Sequence, residues 1–241
     1  MSFDKSVKTY RKHYDAAILF GMPLLLSMIL LVLFPYPTFT SLGAVFLRVI
    51  NLSDLGALGI GITALILLVS ILLIGITISA ISLIVKEERV GHKTRYSLFL
   101  EAINTYSISI SVFYLAVFLL LAGIQILTFI WDINTVLFSI VSLAISYLVF
   151  FVPFAMVIDD YSVGRAMTAA MEHLRAKPFD PLKWFFIIMA VNLAVVFILQ
   201  LFMDYQLAKG IATFINGLII LPFMIIYGAH MYVDKYPMTR R

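Results

Sequence analysis

The side chains with most capacity for chemistry in this chain are four histidines, His13, His92, His173 and His230, and the acids close to them. Glu88 stands four residues before His92, and Glu172 directly precedes His173. A Glu and a His at i and i+4 share one helix face and could ligate a metal together. The adjacent carboxylates Asp159 and Asp160 are the other pair that metal or phosphate chemistry would use. A plainer account competes with each. There is no HExxH and no pair of histidines at ligand spacing, so polar residues on solvated helix faces account for the histidines. N-capping accounts for Asp159-Asp160, with Ser162 a third cap candidate. Neither GxxxxGKS/T, GxGxxG nor GxSxG is present. The absence of Cys excludes thiol catalysis, disulfides and thiolate metal sites. The expectation is a chain with no catalytic, cofactor or metal site.

The elements that carry these residues are set by an apolar solvent. The chain is 63% hydrophobic and 12% charged, with mean hydropathy +1.06, more apolar side chain than 241 residues can hide in a water-soluble core. Six long apolar runs lie at about 16–34, 60–85, 106–130, 135–158, 182–203 and 211–233. Each approaches the roughly 20 residues that a helix needs to cross the hydrocarbon. Strand-length alternation is missing, so the predicted class is all-α, a polytopic membrane protein and not a barrel. The gaps between runs sort the charges. Fifteen of the 17 Lys and Arg fall in alternate gaps beginning with the first, and only Arg48 and Lys209 fall in the others. That is the positive-inside pattern of a chain with both termini in the cytoplasm. The formal charge of +4 is the residue of this bias. It points to anionic headgroups and not to nucleic acid. The first run is expected to remain as a span, because Pro35-Tyr36-Pro37 and no small-residue cleavage site follows it.

The inner gaps hold amphipathic segments. In 159–178 an apolar stripe runs through Val163, Ala166, Met167, Ala170, Met171 and Leu174, closed by Pro178 and Pro181. Residues 5–15 repeat it with Val7, Tyr10 and Tyr14, and 88–103 more weakly with Leu98, Phe99 and Ile103. These predict helices lying at the cytoplasmic interface. One interfacial helix followed by two spans then recurs three times, at about 1–85, 86–158 and 159–241, as a parallel repeat. Outside, 35–59 form one long loop, whose Leu42–Leu52 stretch suits a surface helix, and the other two outer turns are short. No charge stands near the middle of a span. The polar residues at depth are Gln125, Asn192, Gln200 and Asn216. Gln125, Asn192 and Asn216 are candidates for interhelical hydrogen bonds. Gly75 and Ser79 form a small-xxx-small pair for close helix approach, and Pro23, Pro153 and Pro222 should kink their spans. Trp131, Tyr36, Trp184, Tyr232 and Tyr236 are placed as headgroup belts.

Residues 153–170, PFAMVIDDYSVGRAMTAA, carry a further pattern. Pro153 stands near the inner end of the fourth run, acidic Asp159 and Asp160 follow about six residues on, and a small-residue helix through Ala166 and Ala170 leads to the fifth. This resembles the six-helix membrane domain attached to some glycerophosphodiester phosphodiesterases and its prokaryotic membrane relatives, in which Ser often stands where Ala170 does here. The catalytic domain of the fused members is a separate soluble barrel for which this chain has no room, so the resemblance implies architecture and no activity.

The function expected is a non-catalytic scaffold or accessory subunit of a membrane complex, binding lipid, a protein partner or another copy through its basic cytoplasmic helices. The competing class is a permease for a neutral or apolar solute. An intramembrane enzyme is a third, against which stands the lack of an acid/base or nucleophile constellation at one depth.

Overall fold

The computed structural model describes residues 2–33, 57–91, 97–131 and 135–234, which form helices and no strand. Helix α1 (Ser2–Lys12) turns through 94° into α2 (Tyr14–Leu33). The longest helix is α3 (Ala57–Val90). After it, α4 (Ser97–Glu101) passes through a π-helical turn (Ala102–Ser107) into α5 (Ile108–Ile130). Then α6 (Thr135–Val149) breaks at Phe150-Phe151 before α7 (Val152–Ile158). Next come α8 (Val163–Ala176) and α9 (Asp180–Gln200). Finally α10 (Tyr205–Ile215) passes through a second π turn (Asn216–Ile220) into α11 (Leu221–Val233).

Five of these helical stretches are long and apolar enough to cross a membrane: Gly61–Val90, Ser97–Thr128, Val136–Ile158, Asp180–Gln200 and Tyr205–Val233. The bent pair α1–α2 is a sixth if it counts as one span. One expected interfacial helix is not a separate element. Residues 97–103 belong to the helix that runs on into α5, because the π turn absorbs an extra residue without breaking the axis. The long loop 35–59 falls outside the described residues except for its last three positions, which begin α3. The Leu42–Leu52 stretch, Tyr36, His92 and Tyr236 also lie outside them.

The prolines explain the breaks. Pro153 has no N–H for the carbonyl one turn back and its ring crowds that turn, so the helix stops at Phe150-Phe151 and Pro153 stands in the first turn of α7. Pro222 stands in the first turn of α11 directly after the second π turn, where the shifted hydrogen-bond register absorbs the missing donor. Pro23 sits inside α2.

The core is built around α3, which packs on α2, α5, α7 and α11. Over half of its apolar window is buried (56%), against 6% for α9, so α3 is the central post and α9 the outermost helix. The largest enclosed side chains include Phe20, Leu24, Ile81, Ile84, Phe151, Met224 and Tyr232. Close approaches need glycine. At Gly75 an added Cβ would collide with Ser111 Oγ and lie 3.0 Å from the Ser107 carbonyl, so α3 and α5 meet through it. At Gly21 a Cβ would lie 2.7 Å from Cγ of Pro222, which brings α2 against α11. Burial thins out away from this core. Among the described side chains of α6 only Ser146 is buried, and in α9 only Pro181 and Trp184, both near its start.

Candidate functional site

The polar side chains collect at one end of the bundle, where α1 and the ends of α3, α7 and α11 meet the starts of the π turn, α8 and α9. Two nodes organise this end.

The first node is Lys86, Tyr106 and Asp160. Lys86 lies in the last turns of α3, Tyr106 in the first π turn and Asp160 in the link from α7 to α8. Lys86 Nζ donates to both Asp160 carboxylate oxygens at 2.7 Å and to the Tyr106 hydroxyl at 3.0 Å. The Tyr106 hydroxyl donates to Asp160 Oδ1. The ammonium also sits over the Tyr106 ring, 5.3 Å from its centre. Asp160 has φ +55°, the left-handed region that a short polar side chain tolerates better than most. That turn separates α7 from α8 and leaves the carboxylate on Lys86. Burial alone would raise the Asp160 carboxyl. The hydrogen bonds from Lys86 and Tyr106, with the Lys86 charge, outweigh it and hold the carboxyl below its usual value near 3.8.

The second node ties the first helix to the last. Thr9 Oγ1 lies 2.8 Å from His230 Nε2, and Lys5 Nζ donates to Asp234 Oδ1 at 2.7 Å. Lys12 reaches Glu88 on α3 at 3.3 Å, and Lys177 donates to the Asp234 carbonyl at 3.1 Å. Beside these, the Tyr232 hydroxyl donates to Asp159 Oδ2 at 2.6 Å. His173 is fully buried, its ring 4.2 Å from that of Phe151 and 5.7 Å from that of Tyr232, with Nε2 3.5 Å from Asp180 Oδ2.

Several expectations are corrected here. Asp159 and Asp160 do not cap α8. Ser162 holds the N-cap position with no side-chain cap hydrogen bond, and both carboxylates are drawn into tertiary contacts. The true carboxylate cap is Asp204, which accepts from the backbone of Gln206 and Leu207 at 2.9 and 3.0 Å. His173 and His230 are not on solvated faces, being 0% and 9% exposed. Trp184 and Tyr232 are no belt residues, for both are buried, and the Trp184 indole donates to the Met224 carbonyl at 2.7 Å. Trp131 is exposed. On α1 the most buried residues are Ser6 and Thr9 and not the Val7-Tyr10-Tyr14 stripe. On α8 the buried side is Ala166, Ala169, Ala170, His173 and Leu174, while Met167 and Met171 point away.

Of the other singled-out positions, Pro153, Ala166 and Ala170 are all in the core where α7 meets α8. Asn192 donates to the Ile188 carbonyl of its own helix at 3.0 Å, one turn back. Asn216 opens the second π turn, and its Oδ1 is buried with no hydrogen-bond partner. Gln125 is half-buried on α5. Lys86 and Tyr106 were not singled out in the sequence. The signal was present for Lys86. Gly75, Ser79, Ser82 and Lys86 follow at i, i+4, i+7 and i+11, so the lysine continues the small-residue face that α3 turns to its neighbours.

Chemically the first node is a clamp. The Lys86 ammonium is engaged by a carboxylate and a phenol, and the three groups come from three separate elements. Among the described residues no group of three His, Cys, Asp or Glu could hold a metal ion. Among the described residues, fold and site define an all-helical protein with five or six membrane-length helices joined at one polar end. Compared with protein-family models, curated proteins and solved structures, the chain matches none.

Proposed function

We propose that this chain is a six-span protein of a prokaryotic cell membrane, with both termini in the cytoplasm, that acts without catalysis of its own as a scaffold or accessory subunit. Its basic cytoplasmic helices bind a protein partner, a further copy or anionic headgroups. The observation that carries the proposal is the outward face of α8. That helix buries Ala166, Ala169 and Ala170 and leaves Arg165, Arg175, Met167 and Met171 exposed, with Glu172 beside them. Exposed Met beside two Arg and one Glu is adaptable apolar surface in a net basic frame, suited to a partner or an anionic interface.

The grouping of the basic gaps on one side has independent support, and the orientation itself rests on the positive-inside pattern. Lys12–Glu88, Lys86–Asp160 and Lys5–Asp234 are contacts between gaps that are basic in the sequence. Four gaps predicted to share one side of the membrane thus meet at one end of the bundle. The threefold repeat belongs to the same proposal. Its units would be α1–α3, α4–α7 and α8–α11, each starting at the polar end, though only the first and third have a distinct joint between the first helix and the span. The resemblance of residues 153–170 to the phosphodiesterase-attached membrane domain fits this architecture.

The test is purification of the tagged full chain in mild detergent with mass spectrometry of what accompanies it. A stoichiometric protein partner, lost on Arg165→Glu with Arg175→Glu, is the expected result. A lone particle that carries solute across liposome membranes would replace the scaffold by the permease.

A further inference from the structure

A cavity of about 420 Å³ opens at the polar end, at the foot of α9. That is within the roughly 300–1,000 Å³ of small-molecule sites. Its charged lining is Lys177, Lys183, Asp180 and Asp234, with Phe179 beside them. The carboxylates are engaged. Asp234 takes Lys5 at 2.7 Å, and Asp180 lies 3.5 Å from His173 Nε2, their side chains being 19% and 13% exposed. The ammonium groups are held more loosely. Lys177 donates to a backbone carbonyl, and Lys183 is 62% exposed and 3.4 Å from Asp180. The groups available to a ligand are therefore cationic. Above the cavity, Phe179, Lys183, Phe186, Leu193 and Phe197 follow one another along one face of α9, and the four apolar ones are 66%, 57%, 64% and 65% exposed.

We propose that this cavity binds a glycerophospholipid, with the phosphodiester between Lys177 and Lys183 and an acyl chain along Phe186, Leu193 and Phe197. A phosphate oxygen between two ammonium groups makes charge-assisted hydrogen bonds. The two carboxylates oppose a free phosphate, which has nothing else to gain. A lipid offsets that repulsion by laying its chain on α9. The lining carries equal numbers of Lys and Asp, so the site takes a single phosphodiester in preference to a polyanion. This rests on the membrane reading, and names the lipid site within it.

The experiment is native mass spectrometry of the full chain in detergent, titrated with phosphatidylethanolamine. One saturable lipid is expected, weakened about tenfold by Lys177→Ala with Lys183→Ala. The Arg pair at the same positions should restore it. Lys8→Ala, which removes an exposed charge from α1 outside the cavity, should leave it unchanged, and inorganic phosphate should not displace it. The proposal is overturned by equal weakening in Lys8→Ala, by displacement with phosphate, or by full binding in the double Ala variant. Carbonate extraction separates the two readings. A chain that stays in the membrane pellet yet binds no saturable lipid overturns the lipid site alone, whereas release into the supernatant overturns the membrane assignment.

Discussion

Replacing Asp160 by Ala and, separately, by Gly separates the two things this residue does. Either change removes the carboxylate from Lys86 and Tyr106. The lost ion pair is modest because Asp160 is 60% exposed and solvent screens it, so its share is about 1 kcal/mol and not the several expected of a fully buried pair. The Tyr106 hydrogen bond adds about 1 kcal/mol. Lys86, only 20% exposed, is left without its carboxylate in both variants. The variants differ in the backbone. At φ +55° an Ala pays the left-handed penalty of about 1 kcal/mol, whereas Gly adopts that region freely. The wild-type Asp bears most of that penalty too, so Asp160→Ala should destabilise by about 2 kcal/mol and Asp160→Gly by about 1. For a chain of this size the gap corresponds to about 2–4 °C in Tm. The assay is thermal unfolding of the purified protein in detergent, followed by size-exclusion elution after heating. If Asp160→Gly is as unstable as Asp160→Ala, or more so, the strain argument fails. If both match the wild type, the clamp contributes nothing.

Three further outcomes follow from other features. The Asp160 carboxyl is depressed in the folded state, so its contribution is fully present above the ordinary value near 3.8 and is lost as pH falls through the lower folded value; the Tm advantage of wild type over Asp160→Asn should hold at pH 5–8 and shrink below about pH 4. Gly21→Ala places a Cβ 2.7 Å from the rigid Pro222 ring, whereas Gly123→Ala meets nothing within 4 Å. The first should lower stability by about 1–2 kcal/mol net of helix propensity and the second raise it by up to about 1, and equal effects in the same heating assay would refute the close approach of α2 and α11. The chain has no Cys of its own, so a single cysteine reports cleanly: beside Lys209 it should label from outside intact cells and beside Arg175 it should not, and outside labelling at Arg175 would invert the topology.

Hydropathy made the long helices legible, because a spanning helix needs only length and apolarity, and those are properties of a contiguous run. The joints were less so. Pro153 announces a break, but whether it kinks a helix or starts one depends on the hydrogen-bond register next to it, which the residues alone do not fix. The clamp was hidden for a related reason. Asp159 and Asp160 stand where a local cap would stand, and a local partner is always the simpler inference until a lysine 74 residues away in sequence proves to lie at 2.7 Å. His173 and His230 misled in the same way. Each sits on a helix with polar neighbours in sequence, and it is the packing of other helices over that face that buries them.

The bond between Thr9 and His230 spans 221 residues of chain. At about 5–20 residues per second, the ribosome finishes the second partner roughly 10–45 s after the first. Throughout that interval α1 lacks the last helix it rests on, and only α2 and the Glu88 end of α3 are there to hold it. The chain must therefore be threaded before it is closed, with the last helix acting as the latch for the first. A ribosome stalled before α11 should leave the bond after Lys5 open to trypsin, and release of the full chain, which pairs Lys5 with Asp234, should protect it.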